Sequence, residues 1–486
     1  MKSDLKYGPG RGPRRTSTDR PVSMLEKVTL AHVAIYLLFA TWYFGGASPF
    51  ARTAMSWWGT IGALILVVVV GDKSIRKVTN LKPLVWLWPL GAFNALVLVS
   101  CLNPNFRILD FGTDTGFIKI DELSKWVPSS ALPIESLRGL WLFNGIYLSC
   151  FSLALTVSQR RALRWLLSVA GINAVALAVF GTVQKLVHSK GIYFGAVSSP
   201  QPNFFASFVY DNHWGAFVLL MTSLCLGGTI RLVRRQAARD FFHSPAFIAL
   251  LGVLLLAISV PLSNSRACTI LIVLLLGYSL ATWLIGSIKR RRLSNESSAL
   301  PISVAIFAMS VAIAAVWYVA GESIENRLET TRSQIAEMRA IGGIGSRKAL
   351  YADTLKMAED MPVFGWGMNS YPHVFMLYNS QVSKADDLPV FYNDAHSDWL
   401  QSLAEHGIVG TFLLALCAIV PLSKTRGERI PGPFPGYLIA GCGIVLCYSW
   451  VEFPFDNPAV VLCWWICFFS AIRYILLESP SSRKSP

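Results

Sequence analysis

The sequence predicts an all-α polytopic membrane protein with about 12 transmembrane helices and one long helical extracytoplasmic loop. Three observations carry this. Apolar residues make up 53% of the 486 positions and charged residues only 15%, against about 25% charged in an ordinary soluble domain. The apolar residues fall into runs of roughly 20, the length that crosses a hydrocarbon core. Lys and Arg gather in alternate gaps between those runs, the pattern left by positive charge that stays on the cytoplasmic side. The mean hydropathy is +0.48. Together these exclude a soluble globular enzyme, a disordered chain and a large soluble domain.

The spans are read at about 28–44, 54–71, 83–102, 139–157, 165–187, 213–230, 245–262, 267–288, 299–320, 407–423, 435–451 and 458–477. With the basic tail (Lys2, Lys6, Arg11, Arg14, Arg15, Arg20, Lys27) inside, the inner loops are 72–82, 158–164, 231–244, 289–298 and 424–434. Each of these carries at least three Lys or Arg. An even number of spans then puts both termini in the cytoplasm. The net charge of +15 is a topology signal, and no nucleic-acid partner is expected. Gly45-Gly46-Ala47-Ser48 also has the small residues of a signal-peptide cleavage site; cleavage there would leave eleven spans. The expected organisation is a basic tail (1–27), N-terminal transmembrane helices (28–200) with an outer loop at 103–138, a second membrane region (201–477) holding outer loop 321–406, and a short cytoplasmic tail (478–486).

The long loop reads as a charged helix from Glu322 to Arg339, a flexible break at Gly342-Gly343-Ile344-Gly345, and a helix at about 347–360 capped by Ser346. A turn at Met361–Gly367 follows. Asp394 is expected to cap a helix near 395–406, which Gly407 ends or interrupts before the next span.

Ionisable groups are scarce inside the spans. A proton-coupled transporter places such groups within its bundle, so their gathering at outer span ends and in the outer loop favours chemistry at the outer surface. Arg266 sits where two spans meet. It reads either as a helix-end Arg reaching lipid headgroups or as an anion clamp, since a guanidinium donates two parallel hydrogen bonds to phosphate and stays charged. Arg347 opens a helix after a glycine-rich break, where exposed N–H groups favour an anion; the alternative is a solvated surface charge. No GK[ST] follows those glycines, so a nucleotide loop is not expected. His396, in Asn393-Asp394-Ala395-His396-Ser397-Asp398, is either structural or a base, because imidazole titrates near neutral pH. No second His stands at metal spacing. The nine cysteines lie in or beside apolar runs without a CxxC. Neither a metal site nor a disulfide framework is expected, and no cofactor.

Four stretches resemble the O-antigen ligase and Wzy-type polysaccharide polymerase superfamily. They are Tyr210-Asp211-Asn212-His213-Trp214-Gly215, Ser263-Asn264-Ser265-Arg266-Ala267, the run from Arg347 to Asp360 with Pro362-Val363-Phe364-Gly365-Trp366-Gly367, and Ala395-His396-Ser397-Asp398-Trp399-Leu400-Gln401 followed by Glu405-His406-Gly407-Ile408-Val409-Gly410. Trp450-Val451-Glu452-Phe453-Pro454 also fits the family's C-terminal pattern. The resemblance covers roughly 205–465. Ser397 departs from it, because the family usually shows Asn there.

The resemblance implies a membrane glycosyltransferase of the cytoplasmic (inner) membrane, with its active site extracytoplasmic and region 201–477 as its catalytic membrane domain. It implies a glycan donor linked to undecaprenyl diphosphate and an acceptor hydroxyl on lipid A core or on a growing glycan. The reaction it implies is metal-independent. Arg266 and Arg347 would stabilise the departing diphosphate, worth about 3–4 kcal/mol per donor. His396 would take the acceptor proton or orient the acceptor. Asn212, Glu405 and Arg339 are second-tier candidates, and Arg332 is weaker. Ligase and polymerase both fit. The competing reading is a polytopic transporter or flippase, which would show broken spans and charges at mid-membrane; neither is visible.

Overall fold

A computed structural model describes residues 22–72, 81–110, 115–120, 125–233, 243–293, 345–381, 391–428 and 432–478, with isolated positions 303, 310 and 430. In chain order the helices are α1 Met24–Trp42, α2 Pro49–Gly71, α3 Trp88–Cys101 (entered through a 3-10 turn, Lys82–Leu87), α4 Pro133–Thr156, α5 Arg160–Leu186, α6 Asp211–Val233, α7 Pro245–Ser263, α8 Arg266–Leu293, α9 Gly345–Asp360, α10 Tyr371–Val374, α11 Asp398–Ser423, α12 Pro433–Tyr448 and α13 Pro458–Glu478. Several start on the residue types that satisfy free N–H groups. Ser23, Ser48 and Ser244 each accept from the backbone three residues on, and Pro follows Ser48 and Ser244 at the first helical position.

Among the described residues, ten helices are long and apolar enough to cross a membrane, and Pro433–Tyr448 is a shorter apolar one. All of the expected span 299–320 except positions 303 and 310, the expected helix Glu322–Arg339 and Arg339 itself lie outside the described residues. α13 is the most enclosed of the ten, whereas α8 is the least. A helix apolar on every side must face either protein or lipid all round, and α13 faces protein. Its Trp465 and Phe469 meet Tyr147 of α4 edge-on, at 4.6 and 5.4 Å between ring centroids.

The two ends of the bundle differ. At one end Glu26 accepts from the Ser158 N–H (3.1 Å) and hydroxyl (2.7 Å), and Arg473 Nε donates to Val157 O (2.6 Å). The starts of α1 and α5 and the end of α13 therefore meet there. The opposite end carries an outer layer with its own apolar core. Phe106 and Leu132 of loop 103–138 pack there with Leu350, Met357, Trp366, Tyr371 and Phe375 of loop 321–406. Ala131 N donates to Trp366 O (2.7 Å) and Ser136 Oγ to Met368 O (2.8 Å). The two long loops thus form one cap.

The expected all-α polytopic class holds, with two short hairpins added to it: β1 (Phe106–Asp110) and β2 (Thr115–Lys119) pair antiparallel in the loop 103–138, and β3 (Gly191–Ile192) pairs with β4 (Val197–Ser198). Two expectations are corrected. α9 already includes Ser346 in its first turn. α11 begins at Asp398 with Ser397, not Asp394, as its cap, because Ser397 is extended and its hydroxyl reaches Leu400 N.

Candidate active site

His396 is held by its backbone before its ring does anything. It stands in the left-handed region, φ +49°, which few non-glycine residues adopt. Its carbonyl oxygen accepts from Tyr351 Oη of α9 (2.9 Å). On one side Ala395 N donates to Gln401 Oε1 (3.1 Å). On the other, Asp398 N donates to the carbonyls of Ser449 (3.0 Å) and Glu452 (3.2 Å), and Phe455 N donates to Asp398 Oδ2 (3.0 Å). The start of α11 is thereby fastened to the α12–α13 link. Ser397, where the family shows Asn, caps this helix and leaves the imidazole to another partner.

That partner is Glu452, which is buried at 5% side-chain exposure. His396 Nδ1 lies 3.3 Å from Glu452 Oε2, and Arg347 Nη2 donates to Glu452 Oε1. Arg347 Nη1 donates to Val451 O (3.2 Å). One buried carboxylate therefore holds two of the expected site residues, 26% and 49% exposed. A carboxylate only accepts, which assigns the Nδ1 proton to the neutral ring and leaves Nε2 as the acceptor nitrogen. The imidazole stands edge-on to Phe453, 4.8 Å between centroids. Burial opposes the charge of Arg347, but the charge and hydrogen bond of Glu452 outweigh it and hold the guanidinium above its ordinary pKa.

Asn212 and the neighbourhood of Arg266 join the same end. Ser265 Oγ donates to Asn212 Oδ1 (2.5 Å) and Asn212 Nδ2 to Tyr210 Oη (3.0 Å). Tyr210 stacks on Phe453 at 5.3 Å, and His213 Nε2 donates to Phe453 O (3.2 Å). Phe453 thus carries both His396 and the start of α6. Asn264 ends α7 in the left-handed conformation, φ +74°. That reversal lets α8 start at once on exposed Arg266.

Glu405 has a different job. Its buried carboxylate accepts from Asn369 N (3.1 Å) and Tyr371 N (2.9 Å), and its carbonyl accepts from Gly367 N (2.8 Å). Ile408 N and Val409 N donate to Pro362 O and Val363 O. The Pro-Val-Phe-Gly-Trp-Gly and Glu-His-Gly-Ile-Val-Gly stretches are therefore sewn edge to edge. Two glycines permit it. Gly365 and Gly407 both have positive φ, and a Cβ on either would come within 2.4 Å of the facing backbone. Gly407 interrupts α11 without ending it, dividing the segment that carries Glu405 from the apolar remainder up to Ser423.

Sequence reasoning missed two features. Glu452 was noticed as part of a pattern but given no role. Arg52, at the start of α2, was not noticed; its Nη2 lies 2.9 and 3.0 Å from the Asp456 carboxylate oxygens and 3.1 Å from the Asp456 carbonyl. Burial opposes the Asp456 charge, but Arg52 and His213 hold that carboxyl below the usual range. Nearby Asp394 goes the other way: burial first, then the charge of Asp456, push it up to about 8. Among the described residues no three of His, Cys, Asp or Glu are grouped to hold a metal ion.

No curated protein matches the chain. Residues 251–415 match the family model described as O-Antigen ligase. That segment contains Arg266, Arg347, His396 and Glu405, while Asn212 and Glu452 fall outside it. Over that segment the chain is similar to the O-antigen ligase family, and its ten long apolar helices among the described residues agree with a multi-pass membrane protein.

Proposed function

We propose that the protein transfers a glycan from undecaprenyl diphosphate to an acceptor hydroxyl at the outer face of the cytoplasmic membrane, without a metal ion. The supporting observation is the placement of a cation, Arg347, and a base, His396, on the two oxygens of one buried carboxylate. The acceptor oxygen attacks the anomeric carbon of the donor. The new glycosidic C–O bond forms as the bond from that carbon to the diphosphate oxygen breaks. The lipid diphosphate leaves with the bonding pair, and the acceptor proton passes to His396 Nε2. Nδ1 on Glu452 fixes the tautomer and supports the imidazolium, as a general base requires. Arg347, with Arg266 from the neighbouring break, meets the charge that develops on the leaving group.

Asn212 positions the Ser265–Arg266 break, and Glu405 positions the turn beneath the cap. Arg339 falls in the same outer loop and is retained as a secondary cation. The alternating Lys and Arg clusters support a topology with this end of the bundle outside and both termini inside. Deletion of the gene followed by gel analysis of envelope polysaccharide tests the reading. Loss of every lipid-A-linked ladder marks a ligase, and a single-repeat band marks a polymerase. Unchanged envelope glycans would overturn the proposal.

A further inference from the structure

Glu452 serves two side chains that the reading above places on opposite halves of the reaction. Arg347 belongs to the donor and His396 to the acceptor, yet both lean on one carboxylate. We propose that Glu452 couples the halves: a bound diphosphate draws Arg347 off Oε1, and Glu452 is then left to His396, so that the donor arms the base. This rests on the proposed function and adds an order to it.

The exposures set the direction. Glu452 is enclosed, while Arg347 is half-exposed at the N-terminal end of α9, where it donates to Glu452 and to the Val451 carbonyl. The mobile partner is the arginine. Arg347 now gives one guanidinium nitrogen to Glu452 and the other to the neutral Val451 carbonyl, whereas a diphosphate offers both nitrogens charged oxygens in a forked contact. A buried carboxylate that loses one counter-charge draws harder on the other, and favours the protonated ring.

The other groups facing this pair do not take over the role of Arg347. Tyr351 of α9 donates its hydroxyl to the His396 carbonyl, and Tyr210 is bonded to Asn212. His213 is turned to the Phe453 carbonyl, Arg52 is paired with Asp456, and Asp398 accepts from Phe455 N. Asp394, Tyr448 and Cys268 add no positive charge.

The experiment reads two quantities on full-length protein in detergent. One is the affinity for farnesyl diphosphate, a short polyprenyl diphosphate. The other is the pH dependence of glycan transfer. Glu452→Gln releases Arg347, so farnesyl diphosphate should bind tighter, by up to about fivefold on the scale of one partly exposed ion pair. Transfer should meanwhile slow by about 10²-fold or more. A residue that only supports the fold would weaken both. Equal or weaker binding in a Glu452→Gln protein that elutes as wild type would overturn the coupling.

The second measurement needs no variant. In wild type the acid limb of kcat, which reports the donor-bound enzyme, should lie about one pH unit above that of kcat/KM for the donor. In Glu452→Gln that separation should shrink. Coincident limbs in an active wild-type enzyme would sink the coupling and leave the proposed function standing. A protein that binds diphosphate but transfers no glycan would sink the proposed function, and the binding comparison would still decide whether Glu452 competes for Arg347.

Discussion

Arg52 and Asp456 stand 404 positions apart, and Arg52 Nη2 contacts both carboxylate oxygens of Asp456, at 2.9 and 3.0 Å. The pair joins the start of α2 to the link that carries Glu452, and so ties the N-terminal helices to the site. Both side chains are about one-third exposed. Arg52→Ala should therefore cost about 1–2 kcal/mol, between the values for exposed and buried pairs. Thermal unfolding in detergent would show it, and Arg52→Lys should recover part. An unchanged midpoint for Arg52→Ala would mean that the link is held by its backbone contacts alone.

Asp394 gives that region a pH dependence of definite sign. Its carboxyl is raised to about 8 in the folded protein, by burial and then by the charge of Asp456, whereas an unfolded Asp titrates near 4. Between those values the native state holds a proton that the unfolded state has lost. Stability from this group is fully present below about pH 4 and falls as pH rises toward 8. Asp394→Asn should flatten that decline in unfolding midpoints measured between pH 5 and 8. Equal slopes in wild type and variant would remove Asp394 as its source.

Ser397 tests how the base is aimed. Its hydroxyl caps α11 one residue after His396. Ser397→Ala should cost about 0.5–2 kcal/mol as a lost N-cap and reduce transfer by loosening His396. Ser397→Asn, which restores the residue usual in the family, caps equally well and should keep both stability and activity. Failure of Asn where Ser works would show that the serine does more than cap.

The sidedness proposed from the Lys and Arg clusters is open to labelling. On a background without native cysteines, Lys73→Cys, Arg234→Cys and Arg291→Cys should be shielded from an impermeant thiol reagent in intact cells. Phe106→Cys and Gln381→Cys should label. Phe106 is buried in the cap, so its labelling needs a mild denaturant, and Gln381 is the cleaner outer reporter. Labelling at 291 from outside would invert the topology.

Much of this was legible in the sequence, for definite reasons. Spans follow from run length, and α9 and its turn follow from Gly and Pro punctuation. The hairpin at 106–119 was legible too: Phe106-Arg107-Ile108 and Phe117-Ile118-Lys119 flank Gly112 and Asp114, a strand–turn–strand signal lost among the apolar runs. Glu452 was not legible as a partner. It stands 105 positions from Arg347 and 56 from His396, and no local period links them. The same holds for Arg52, which lies in the half of the chain where no motif drew attention. Glu405 is only a second-tier candidate in the sequence, and in the fold its carboxylate accepts from the backbone of Asn369 and Tyr371.

Metal independence is a separate expectation. The proposed clamp is cationic, so transfer should proceed in excess EDTA. Activity abolished by chelator and restored by magnesium or manganese would reduce the arginines to a partial account.

The two arginines and the histidine should fail differently. Arg347 is assigned to a diphosphate present both in the bound donor and in the leaving group. Arg347→Ala should therefore weaken donor binding and slow transfer together, and Arg266→Ala should do the same. Arg347→Lys should rescue only in part, because an ammonium cannot make the forked contact. His396 is assigned to the acceptor, so His396→Ala should leave donor binding nearly intact and lower the transfer rate by about 10²–10⁴-fold, the usual worth of a general base. Loss of His396 also removes one of the two partners of Glu452. The carboxylate then holds Arg347 alone and more firmly, so any change in donor affinity should be a small weakening. The decisive comparison is donor affinity across the three alanine variants, each checked by gel filtration. If His396→Ala lost donor affinity as severely as Arg347→Ala, or kept near wild-type transfer, the division between donor and acceptor halves would be wrong.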